Sequence, residues 1–82
     1  PDAGTASATR ALRRIPALMR AARTSADSVE VRLHEAEAHR VLHHTRDACR
    51  VLLDVEPRAA VTRFRALVRS YLDDPALGCR TR

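Results

Sequence analysis

Eighty-two residues with 45% apolar content, 30% charged residues and a formal charge of +5 fit one small domain or a piece of a larger protein. No apolar run approaches the ~18 residues that a membrane-spanning helix needs, and the start lacks the hydrophobic stretch of a secretory signal. No glycine-rich phosphate loop and no Ser-His-Asp or Cys-His spacing is present, so no enzyme activity and no cofactor is expected.

The opening residues 1–5 are small and polar and are expected to be disordered. Pro1 in place of an initiator Met favours a fragment or a processed product. A first helix is predicted over residues 6–23, with Thr5 or Ser7 as its cap. Ala8, Leu12, Ile15, Met19 and Ala22 fall on one face of it. Arg10, Arg13, Arg14, Arg20 and Arg23 form a basic face, with no acid between Arg10 and Arg23. All 15 basic residues of the chain are arginine, and each guanidinium fork suits carboxylate or phosphate. That face can meet an acidic protein surface or nucleic acid nonspecifically. Asn, Gln and Lys are absent, which argues against base-edge readout. Pro16 should kink the helix or restart it with the proline in a first turn.

A break follows at residues 23–28. Asp27 with Glu30 resembles a capping box, and Ser25 is the competing cap. From residue 27 to 55 the chain runs 29 residues without glycine or proline. This predicts one rod roughly 43 Å long, too long for a compact chain whose radius of gyration is about 12 Å. Val31, Ala38, Leu42, Thr45, Cys49 and Leu52 form a near-heptad stripe, supported by Val41 and Ala48. Val29, Leu33 and Val51 fall off it, which gives the rod a second apolar side suited to a second partner. Along its polar face, Glu30 with His34, Arg50 with Asp54, and Glu37 with Arg40 are spaced for i,i+3 or i,i+4 contact.

Four histidines lie on this rod. Glu35, His39, His43 and Asp47 follow at steps of four and would share one side of a continuous helix, the spacing that lets two histidines hold zinc. They are the candidate metal ligands, although no metal centre is expected, because no ligand set appears on another helix apart from Cys79 if the tail folds back. The stripe reads as a solvated polar face or a pH-sensitive contact surface. His34 lies close to the Val31/Ala38 stripe and suits a hydrogen-bonded interface position.

Pro57 should end the rod near residues 54–56 and open a third helix over 57–73. Val61, Phe64, Leu67, Val68, Tyr71 and Leu72 give that helix the cleanest amphipathic pattern in the chain. Asp73-Asp74-Pro75 stops it, and Gly78 can cap a last turn. Residues 75–82 form a basic tail. Cys49 and Cys79 have no metal or redox spacing and are expected to be reduced thiols in an intracellular or virion setting.

The predicted fold is all-α: an elongated two- or three-helix antiparallel bundle, or coiled-coil-like module, over residues 6–74. With 15 alanines, large core side chains are few and marginal stability is expected. Partner helices, from other helical proteins of an assembly or a second copy, would bury Val31, Ala38, Leu42, Cys49, Leu52, Val61, Phe64, Leu67, Val68 and Tyr71. The stretch from Ala38 to Val55, the Pro57 break, the Val61 to Leu72 stripe and the lysine-free arginine usage together resemble the C-terminal helical segment of an alphaherpesvirus large tegument protein. That resemblance implies a structural docking role that attaches tegument to the capsid vertex, in the virion or in the host nucleus and cytoplasm. A basic module binding nucleic acid nonspecifically is the alternative.

Overall fold

The computed structural model describes residues 3–81. Four α-helices follow in chain order: α1 (Ala3–Ala21), α2 (Ser25–Val41), α3 (Thr45–Ala59) and α4 (Arg65–Leu72). A short 3-10 turn at Cys79–Thr81 closes the chain. No strand occurs among the described residues, so the chain is all-α as its composition predicts.

Helix α1 starts earlier than predicted. Ala3 to Thr5 already belong to it, which corrects the disordered start at residues 1–5 as far as those residues are described; Pro1 and Asp2 lie outside. Alanine-rich sequence sustains helix without needing a strong cap. Pro16 sits inside α1. It withholds one backbone donor, but Ile15 beside it is buried and α1 packs on α2, so tertiary packing carries the helix past it. The cap of α2 is Thr24 rather than Ser25 or Asp27. Its hydroxyl accepts from the Asp27 amide at 3.0 Å, and the Asp27 carboxylate accepts from the Thr24 amide at 3.3 Å. This is a capping box set three residues before the predicted one.

The predicted rod over residues 27–55 does not form. It breaks at residues 42–44, where His43 takes φ 61°. The His43 amide donates to the Arg40 carbonyl at 3.0 Å and the His44 amide to the His39 carbonyl at 2.8 Å. These are the paired bonds of a Schellman motif, with His43 in the left-handed position that glycine usually fills. Histidine tolerates that region better than most side chains. Arg40 in the last turn of α2 and Asp47 in the first turn of α3 then sit at the helix ends their charges favour. The gain from folding back is burial: α2 packs along α3.

Pro57 does not end a helix either. Helix α3 runs through it to Ala59. The carbonyl that Pro57 leaves unbonded belongs to Leu53, which is solvent-exposed and can be hydrated. Val55 and Ala59, on either side of the proline, are buried to within 1%, and the Ala60 amide resumes the ladder to the Glu56 carbonyl at 3.2 Å. The third helix is consequently short. The Thr62 hydroxyl accepts from the Phe64 amide at 3.1 Å in the intervening turn, and α4 begins only at Arg65.

The core lies where α2, α3, α4 and the C-terminal segment meet. Val29, Leu33 and Ala36 enter it from α2; Ala48, Cys49, Val51, Leu52, Val55 and Ala59 from α3; Val68 and Leu72 from α4; Leu77 and Cys79 from the end of the chain. Helix α1 stands outside this cluster. The cysteines, expected reduced, are joined: Cys49 and Cys79 form a disulfide with Cα atoms 5.2 Å apart. Residues 75–81 are no free basic tail. Leu77 is buried, Gly78 turns the chain at φ 64°, and Arg80 pairs with Glu56 at 2.7 Å and Asp73 at 2.8 Å.

Each helix packs on its neighbour in sequence. The radius of gyration is 12.5 Å and the principal extents are 38 × 33 × 16 Å, so the molecule is a slab with the bulk of a compact chain and not an overhanging rod. No helix among the described residues is long and apolar enough to cross a membrane.

Candidate docking face

Because the slab is thin, helices that pack sideways keep outer faces uncovered. Between α2 and α4 lies a groove lined by Glu30, Leu33, His34 and Glu37 on one side and Phe64, Leu67 and Tyr71 on the other. Leu33 floors it from the core, Phe64 and Tyr71 are half-buried against the core, and Leu67 is 43% exposed. The Arg63 guanidinium stacks over the Phe64 ring at 4.5 Å, which steadies the wall of the groove. On the far side of His34 and Glu37, a second shallow groove runs between α1 and α2 along Gly4, Ser7, Ala8, Ala11, Ala38 and Val41. His34 and Glu37 are therefore a shared ridge between an aromatic-walled groove and one lined by small side chains.

The ridge is polar and its acids differ in surroundings. Glu37 accepts from Nε and Nη2 of the Arg40 guanidinium, the first at 2.9 Å. These hydrogen bonds are the main reason that its carboxyl lies below its ordinary value of 4.5. Glu30 is exposed. The basic face stands elsewhere. Arg10, Arg13, Arg14, Arg20 and Arg23 are all exposed, and α1 has no acid in its first turn. Acids and arginines pair instead across the other helices, with Asp54 of α3 bonded to Arg32 of α2 at 3.0 Å and to Arg58 at 2.8 Å. Of the predicted helix-surface contacts, Glu37 with Arg40 forms; Arg50 turns to Asp47 at 3.4 Å and leaves Asp54 to the other two arginines.

The predicted interface residues separate into four groups. Ala38, Cys49, Leu52 and Val68 are buried within this chain, so they cannot also serve a partner without rearrangement. Val31 and Leu42 are half-buried, with Leu42 at the C-cap of α2. Phe64, Leu67 and Tyr71 line the groove, while Val61, in the α3–α4 turn, is 86% exposed and outside it. Helix α2 does have two apolar sides, but both meet this chain's own neighbours, α1 and α3. Reading the spacing around a continuous helix missed Leu33, Glu30 and Glu37 as groove residues. The signal was the 3.6-residue series Val29, Leu33, Ala36, which competes with the heptad stripe.

The break between α2 and α3 also rearranges the histidines. Glu35 is engaged by Arg32, and His43 lies in the turn. In their place His44, the N-cap residue of α3, comes to His39. Their rings are 5.7 Å apart and tilted by 43°. One ligand atom each from His39, His44 and Asp47 lies within 4.8 Å of the others. His39 Nδ1 is buried and has no hydrogen-bond partner.

Compared with protein-family models, with curated proteins and with solved structures, the chain has no match.

Proposed function

We propose that the chain is a helical docking module that seats one helix of a larger protein assembly along the face where α2 meets α4. The carrying observation is the groove itself: apolar floor and walls from Leu33, Phe64, Leu67 and Tyr71, beside a ridge bearing Glu30, His34 and Glu37. Such a groove fits the apolar edge of an amphipathic helix, and the acidic ridge favours a partner with basic residues flanking that edge. Tegument-to-capsid attachment, of the kind the alphaherpesvirus resemblance implies, is one setting for this module. The disulfide suits an oxidising compartment or a particle outside the reducing cytosol.

Molar mass in solution, measured by light scattering alone and with candidate partners, tests the reading. Leu67→Asp should abolish assembly, whereas Leu53→Asp, exposed on α3 outside the groove, should leave it intact. Equal loss from both, with helical circular dichroism unchanged, would reject the groove as the docking site. If the occupant is a second copy, Leu67→Asp should return the chain to the 9.1 kDa of a monomer.

A second reading draws on α1 and the residue just beyond it: Arg10, Arg13, Arg14 and Arg20 on the helix and Arg23 after its end are exposed. A basic module holding nucleic acid through phosphates would bind duplexes with affinity that falls steeply with salt. Salt-insensitive binding, or none, would remove it.

A further inference from the structure

We infer that His39, His44 and Asp47 form a site for a divalent transition metal of the zinc class, clamped across the α2–α3 turn. Two imidazoles and a carboxylate are a donor set that zinc accepts, with a fourth position left for water. The three residues come from three rigid places: the last turn of α2, the N-cap of α3 and the first turn of α3. The His44 amide bond to the His39 carbonyl at 2.8 Å fixes the two histidines relative to one another before any ion arrives.

Distances fit a site close to assembled. Ligand atoms around a zinc with bonds of ~2.1 Å stand about 3.4 Å apart, and here they lie within 4.8 Å of each other. His44 is exposed, so its ring is free to close that gap by a change of rotamer. A second observation points the same way. His39 Nδ1 is buried and unpartnered, and a buried polar atom in that condition is destabilising. Coordination through Nδ1 would satisfy it outright; coordination through Nε2 would polarise the Nδ1–H without giving it an acceptor, so Nδ1 is the favoured donor. Thiolates do not compete, because Cys49 and Cys79 are held in the disulfide. Neutral imidazoles and an ionised carboxylate bind the cation without any change in covalent structure. This site is separate from the α2–α4 groove and stands or falls without it.

Equilibrium dialysis of the tag-free, disulfide-intact chain against zinc chloride tests the site. One zinc per chain is expected. His44→Ala and Asp47→Ala should each weaken binding by at least ~tenfold, as loss of even an outer-shell partner commonly does. His34→Ala and His43→Asn, outside the cluster, should not. Since His39→Ala disturbs a half-buried position, the exposed His44 is the deciding variant. The chain loaded with cobalt(II) should show tetrahedral d–d absorption without a sulfur charge-transfer band. Failure to bind one zinc per chain, or affinity unchanged by His44→Ala, overturns the proposal.

Discussion

His43 holds the turn between α2 and α3 at φ 61°, in a region that costs a side chain with a Cβ roughly 1–2 kcal/mol relative to glycine. The side chain is exposed, so changing it removes few contacts and isolates the backbone term. His43→Gly should raise stability by about 0.5–1 kcal/mol in urea denaturation, and His43→Val should lower it by about 1–2 kcal/mol. Were the segment one continuous helix, the order would reverse, because glycine inside a helix is destabilising by about 1 kcal/mol. The same scale governs Glu37. Arg40 hydrogen bonds hold its carboxyl below the ordinary value of 4.5, so the folded chain binds that proton more weakly than the unfolded chain. The resulting stabilisation is present above pH 4.5 and is lost as pH falls through the lower folded value. Arg40→Gln should therefore flatten the loss of stability on acidification, read from denaturation curves at neutral pH and below 4.5. Identical pH slopes would show that the pair contributes nothing.

At the scale of elements, the errors of sequence reading share one physical cause. Glycine and proline are strong punctuation, and the chain breaks where neither stands and continues where proline does. His43 supplies a left-handed residue without glycine, while Pro57 is tolerated because Val55 and Ala59 bury on either side of it. With the break unseen, helical phase was carried from Ala38 to Cys49 as if unbroken, which put Val29 and Leu33 off the core that they in fact fill. The middle of helix α1 was legible, since Ala8, Leu12, Ile15 and Met19 and the arginines Arg10, Arg13, Arg14 and Arg20 lie within one continuous element, while Ala22 and Arg23 fall beyond its end. The groove was only half legible: Phe64, Leu67 and Tyr71 share one helical face, but their partner Leu33 depends on the fold-back. The cysteine pair had no signal at all, because it joins α3 to a segment whose return over the core no local pattern encodes. Linking residues 30 apart, it should contribute about 2–4 kcal/mol by restricting the unfolded chain. Cys79→Ser should lower the unfolding free energy by that amount and release the Arg80 contacts with Glu56 and Asp73, seen as faster amide exchange after Leu72. Unchanged stability would mean that Leu77 and Arg80 hold the segment unaided.

For the whole molecule, the fold-back replaces a reason for docking with a different one. An overhanging rod would have needed a partner to cover its ends; a slab of 38 × 33 × 16 Å does not. What remains is a thin layer of helices whose core is satisfied internally and whose α2–α4 groove keeps Leu67 partly in water. The proposed docking role then rests on a local groove rather than on the reach of the element. Its most direct test is an NMR titration of the labelled chain with an amphipathic helical peptide carrying arginines beside a leucine edge. The account predicts saturable shifts at Leu33, His34, Glu37, Phe64, Leu67 and Tyr71, abolished by Leu67→Asp. No saturable binding, or shifts that avoid these residues and survive Leu67→Asp, would contradict it.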